Sequence, residues 1–80
     1  MRLDKYLKVS RIIKRRTVAS EACGSEFVAV NGKPAKASYS VKVGDVIEIT
    51  YGNRTTSFRV TAVNENAKKA DASEMYEILA

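Results

Sequence analysis

Residues 1–16 read MRLDKYLKVSRIIKRR, and how this stretch folds decides what must surround it. Leu3 and Leu7 stand four apart, the spacing of one helical face, with Tyr6 beside them as a further core candidate. Arg2, Lys5, Lys8 and Arg11 recur every third residue, and each such step falls about 60° short of a full helical turn. In one unbroken helix Arg2 and Arg11 would end on opposite sides. A first helix that stops near Val9 or Ser10 and then bends brings Arg11 back toward the others. The stretch also holds seven of the fourteen Lys and Arg residues, against one acid, Asp4. Positive charge this concentrated attracts polyanions.

Working outward, a second helix is predicted from Arg15 to Cys23. Val18, Ala19, Ala22 and Cys23 form a narrow apolar stripe of small side chains that lets two helices approach closely. Lys14, Arg15 and Arg16 then gather at the positive end of this helix's dipole. Like charge there costs about 0.3–1 kcal/mol per exposed group, so the arrangement calls for an anion, and helix N-termini bind phosphate well.

After Gly24 and Ser25 the period changes from helical to extended. Phe27-Val28-Ala29-Val30 is a short strand, and Asn31-Gly32 directly after it is a strong turn signal. Lys33 to Lys36 continues as a loop or edge segment, and Ser38 to Ser40 as polar loop. Gly44-Asp45 and Gly52-Asn53 are further turns that bracket a strand, Val46 to Tyr51. Phe58, Val60 and Ala62 alternate with Arg59 and Thr61, a half-buried return strand. Residues 64–73 are polar and predicted to be a connecting loop. Residues 74–80 regain Met75, Tyr76, Ile78 and Leu79, compatible with either a helical turn or an edge strand. Two helices and three strands make an α+β domain, with residues 1–63 as its body and 64–80 as an extension packing on or beside the sheet.

Composition narrows the chemistry. The net charge of +5 suits a nucleic-acid or anionic-surface partner. Histidine is absent, which removes the commonest general base and a common metal ligand. Cys23 is the single cysteine, so neither an internal disulfide nor a zinc cluster is available, and its apolar neighbours point to an inert buried thiol. No glycine-rich phosphate loop is present. The chain is therefore read as a non-enzyme without cofactor or metal. It has no apolar run of membrane-spanning length and no signal-peptide pattern, so a cytoplasmic protein without membrane contact is expected.

Arg2-Leu3-Asp4-Lys5, Arg11, Arg15-Arg16 with Ala19, Val28-x-Val30-Asn31-Gly32 and Val43-Gly44-Asp45 together resemble the S4-type RNA-binding domain, over Met1 to Val63. The resemblance implies two short helices packed on a small bent antiparallel sheet, the αL-type arrangement, with structured RNA bound on the basic helical face. Residues 1–22, Ala35 to Ser38 and Val41 to Asp45 further resemble the small factors of bacterial ribosome-associated quality control. That resemblance implies binding to large-subunit rRNA and P-site tRNA on a stalled large subunit, alongside the factor that tails the nascent chain, by a monomer. The related alternative is the fifteen-kilodalton heat-shock family, which binds free large subunits carrying peptidyl-tRNA. One position departs from the family: the usual helix-closing glycine is replaced by Glu26, with Gly24 two residues earlier. Either helix two stops sooner or Glu26 takes a left-handed conformation costing about 1–2 kcal/mol.

On this reading Arg2 and Arg16 are the phosphate anchors, Lys5, Lys8, Arg11, Lys14 and Arg15 complete the face, and Lys33 and Lys36 lie at its periphery. A-form RNA is recognised by shape, phosphates and 2′-hydroxyls, so positioned cations can suffice. A different reading makes the chain an adaptor whose strip Met75 to Leu79 docks on a protein partner.

Overall fold

In the computed structural model the leucine spacing becomes α1 (Leu3–Val9), with Leu3, Tyr6 and Leu7 fully buried. The structure describes residues 1–24, 27–51, 53–66 and 68–79; for Arg16, Ser20, Gly24, Tyr51, Lys69 and Ala70 it describes the backbone alone. Burying three such side chains stabilises by about 1.5–3 kcal/mol each and fixes which face of α1 looks outward. The predicted bend follows. Arg11 adopts a left-handed conformation, φ 63°, and donates its N–H to the Lys8 carbonyl at 3.1 Å, while Ile13 N–H reaches the Leu7 carbonyl at 3.0 Å. These bonds satisfy the last carbonyls of the helix and stop it.

The second helix, α2 (Arg16–Gly24), begins one residue later than predicted and packs on α1. Ala19 and Cys23 are buried between the layers, but Val18 is 44% exposed, so the predicted stripe is narrower than its sequence pattern. Val18 lies one residue before Ala19, about 100° around the helix from it, and that offset carries it out of the interface. The position of Glu26 lies outside the described residues.

The sheet has five antiparallel strands in the order β2-β1-β3-β4-β5, two more than predicted. They are β1 (Val28–Val30), β2 (Lys33–Pro34), β3 (Val46–Tyr51), β4 (Arg54–Val60) and β5 (Tyr76–Ile78). Phe27, read as part of the first strand, precedes it and is exposed. Asn31 and Gly32 turn β1 into β2 with φ 53° and 83°, the two positive values of a type I′ turn, so the loop-or-edge segment from Lys33 becomes an edge strand. The register Val30↔Ile47↔Phe58 and Val28↔Ile49 aligns one apolar face of the sheet beneath the helices. Ala29, Glu48, Ser57 and Arg59 fall on the opposite face.

The stretch predicted as loop contains a short helix, α3 (Lys69–Ala72), whose Ala72 is buried. A buried alanine in a polar run carries no periodic signal, which is why the pattern was silent there. The ambiguous end resolves as edge strand β5, paired with β4 through Phe58↔Ile78, Arg59↔Glu77 and Val60↔Tyr76. Met75 just before it is 1% exposed, and its carbonyl accepts bonds from Thr61 N–H at 2.9 Å and from the buried Tyr6 hydroxyl at 2.7 Å. Phe58 and Tyr76 meet edge to face at 5.4 Å. No helix among the described residues is long and apolar enough to cross a membrane.

The Tyr6 hydroxyl thus ties α1 to the far end of the chain, 69 residues away. Burial followed by the proximity of Tyr76 raises its pKa, so it stays a neutral donor. Tyr6→Phe is expected to cost about 1 kcal/mol, because Met75 keeps its bond from Thr61. The loss should concentrate locally: the amides of β5 should exchange faster relative to those of β3. Uniform acceleration across the sheet would show that Tyr6 is not the tie.

Candidate nucleic-acid interface

Arg2 at the N-cap of α1 makes no side-chain capping bond. Two of the free N–H groups are met from elsewhere and a third by Asp4 within the helix. Leu3 N–H bonds the Tyr39 carbonyl at 2.8 Å, Asp4 N–H the Ala37 carbonyl at 3.2 Å, and Lys5 N–H the Asp4 carboxylate at 2.8 Å. Val41 N–H bonds the Met1 carbonyl at 2.9 Å, and Arg2 pairs with Ser40 as an isolated antiparallel bridge. Residues 37–41 therefore clamp the first residues of the chain.

That clamp is itself shaped by Asp45. Its carboxylate accepts from Lys42 N–H at 2.9 Å, the Tyr39 hydroxyl at 2.9 Å and the Asn31 amide at 3.1 Å, while Asn31 Oδ1 accepts from Val46 N–H at 3.0 Å. Burial alone would raise the Asp45 pKa, but these hydrogen bonds and the Lys42 charge together hold it below the usual carboxylate value. The Tyr39 hydroxyl is shifted up, first by its bond to Asp45 and then by burial. One acid thus joins the Asn-Gly turn, the clamp and the start of β3.

The predicted cations divide as follows. Arg2 is half exposed and oriented by buried Asp4, through Nε to Oδ1 at 3.2 Å and Nη2 to Oδ2 at 3.4 Å. No other acceptor among the described residues takes its remaining N–H donors. Lys5 is half-buried and Lys8 exposed, three residues apart and adjacent on the outward side of α1. Arg11, Lys14 and Arg15 are exposed in the connection between the helices. Arg16 opens α2, but its side chain lies outside the described residues. Lys36 is exposed next to Ala37 in the clamp, whereas Lys33 sits on edge strand β2, on the sheet rather than the helical layer.

Lys42 escaped the sequence reading. It is exposed and follows Val41, whose bond to Met1 brings it to the same end as Arg2. In sequence it looks like any outward residue between two valines; only the long-range hydrogen bond reveals its place. Arg59 lies on the outer face of the sheet, 3.6 Å from Glu77. Beyond residue 16 the chain holds seven cations and eight acids, so the excess charge belongs to the helical end.

No group of three His, Cys, Asp or Glu side chains gathers for a metal among the described residues. Cys23 is 4% exposed, and burial, then the nearby Asp4, push its thiol up to about 11, the reverse of an activated nucleophile.

Two helices on a small antiparallel sheet, with cations massed on the helical end, define a class: small basic α+β nucleic-acid-binding modules. The comparison with known families is more specific. The pattern of the S4 domain family matches residues 1–47, and the chain belongs to that family. It is 53% identical over 79 residues to the RQC P-site tRNA stabilizing factor of Streptococcus pneumoniae, covering 99% of this chain and 90% of that one. Against the factor of the same name from Bacillus subtilis the identity is 46% over 79 residues, covering 99% and 92%. Among solved structures, the trimeric Heat Shock Protein 15 of Vibrio cholerae superposes with a TM-score of 0.90 at 30% identity, covering 100% of this chain and 82% of that one.

Two outcomes check the site's internal chemistry. Cys23→Ala is expected to lose about 1 kcal/mol of stability and no RNA affinity, and the native thiol should resist alkylation at neutral pH until the protein unfolds. The folded state favours ionised Asp45, so its contribution is complete above the unfolded carboxylate pKa of about 4 and is lost as pH falls through the lower folded value. Asp45→Asn should therefore be less stable at neutral pH and show a flatter stability curve below about pH 4, measured by denaturant unfolding. A curve that falls as steeply as that of the native protein would remove Asp45 from the acid response.

Proposed function

We propose that this chain is a non-catalytic RNA-binding factor of bacterial ribosome-associated quality control. It binds large-subunit rRNA and P-site tRNA on stalled subunits, in the cytoplasm, and supports the factor that tails the nascent chain. The observation that carries the reading is the segregation of charge. The seven N-terminal cations have one acid among them, and that acid orients Arg2. The relatives named for P-site tRNA stabilisation support the target, since they align over nearly the whole chain. Residues 1–63 form the RNA-binding unit, and residues 64–80 brace it.

Arg2 and Arg16 are the anchors in this proposal, with Lys5, Lys8, Arg11, Lys14 and Arg15 completing the face and Lys33 and Lys36 at its margin. Lys42 joins them beside Arg2. No cofactor is required, and the chain acts as a monomer. A second reading, a heat-shock-type factor for free large subunits carrying peptidyl-tRNA, is favoured by the superposition on Heat Shock Protein 15. The two diverge in the particle that co-sediments and in whether tailing of stalled chains fails when the protein is removed.

The site is tested by position against charge. Arg2→Ala or Arg16→Ala should each cost about 1–3 kcal/mol of binding to large subunits carrying P-site tRNA, through a lost charge-assisted contact. Arg59→Ala should cost little. Log affinity should fall linearly with log salt, by roughly 0.7–0.9 per phosphate neutralised. Equal losses for all three variants, or an affinity indifferent to salt, would mean that no defined face binds.

A further inference from the structure

Four non-terminal residues among those described have positive φ: Asn31, Gly32, Gly44 and Arg11. Glycine reaches this region freely, and asparagine visits it routinely because its short polar side chain bonds locally. Arg11 is the exception. Its φ of 63° brings Cβ close to the following carbonyl, a conformation disfavoured for every L-residue with a longer side chain.

Nothing among the described residues rewards an arginine there. The side chain is exposed, and no hydrogen bond, ion pair or ring contact holds it among the described residues. What the fold uses at this position is the backbone: the N–H donated to Lys8 and the reversal that lets Ile13 reach Leu7. Glycine would supply both without the steric penalty. The C-terminus of α1 does favour a cation, but α1 is only seven residues long and already carries Lys8 in its last turn. An exposed charge at such a short helix's end offsets only part of the left-handed penalty.

We propose that Arg11 is an RNA-backbone anchor that the fold holds in a left-handed conformation at a net cost to its own stability. The proposal rests on the RNA-binding reading above and adds a residue-specific claim to it: here binding and stability pull in opposite directions. Arg11 lies in the connection between α1 and α2, the same exposed segment as Lys14 and Arg15, where its planar fork can grip a phosphate in two-pronged fashion. Strain retained at a position with no internal partner is the expected mark of a binding residue.

The experiment compares the native protein with Arg11→Gly, Arg11→Lys and Arg59→Ala in two measurements. One is affinity for purified large subunits carrying P-site tRNA, by sedimentation; the other is thermal unfolding of the free protein. Arg11→Gly should bind about tenfold more weakly and melt a few degrees higher, even after the greater freedom of its unfolded chain is counted. Arg11→Lys should melt as the native protein does and recover only part of the affinity, because it keeps the charge but loses the fork. Arg59→Ala should change neither by much. An Arg11→Gly protein that binds like the native one, or that melts lower than it, would overturn the proposal; the second result would mean that the helix end needs the cation. Failure of the native protein to bind subunits would overturn the RNA-binding reading as well, and the native arm alone reveals it.

Discussion

The buried carboxylate of Asp45 is the constraint on which the rest of the structure depends. It accepts from the Asn31 amide, the Tyr39 hydroxyl and the Lys42 N–H, and so ties the β1–β2 turn to two points of the long β2–β3 connection. The loop through Tyr39 then supplies the carbonyls that complete the uncapped start of α1. A seven-residue helix has little stability of its own, because nucleation costs more than so few bonds return. Here its first two N–H groups are bonded from outside and its last carbonyls closed by the turn at Arg11, so the fold supports both ends. The cations of α1 in the proposed interface are thus placed by an acid forty residues further along the chain.

This dependence makes sense of the charge. Seven cations within sixteen residues repel one another, and an isolated segment of that composition would favour extension over helix. Burying Leu3, Tyr6 and Leu7 and clamping the chain against residues 37–41 outweighs the repulsion and holds the cations at the ends and outer side of two short helices. Asp4 is the one acid in that stretch, and its carboxylate orients Arg2. In the proposed interface a phosphate backbone supplies further negative charge and releases its counterions on doing so.

Much of this was legible because local rules were strong. The Leu3/Leu7 spacing, the third-residue cation period that demanded a bend, and Asn31-Gly32 each carry a conformation in a few residues, and each element formed where those signals stood. The features that escaped are those decided at long range. α3 rests on one buried alanine, and β5 on pairing with β4 and on Tyr6 from the opposite end of the chain. Val18 shares the apolar character of its neighbours but not their side of the helix. In the candidate site, the cations announced themselves by composition; that Asp4 orients Arg2 and that Lys42 lies at the same end of the fold required the folded chain.

The C-terminal segment shows how a domain this small gains a core. Met75 was a candidate for an exposed docking strip, yet it is 1% exposed, enclosed with Tyr6 and Val60 in the same apolar cluster as the helices. What remains outward from the strip is Ile78 and Leu79 on a three-residue edge strand whose middle residue, Glu77, faces Arg59 across the outer side of the sheet. Short, charged edge strands discourage pairing with a further chain. The segment therefore uses Met75, its most deeply buried side chain among the described residues, to close the interior. In doing so it holds Tyr6, and through Tyr6 the face of α1 that carries Lys5 and Lys8, so that a sheet edge remote from the cations still steadies the surface they form.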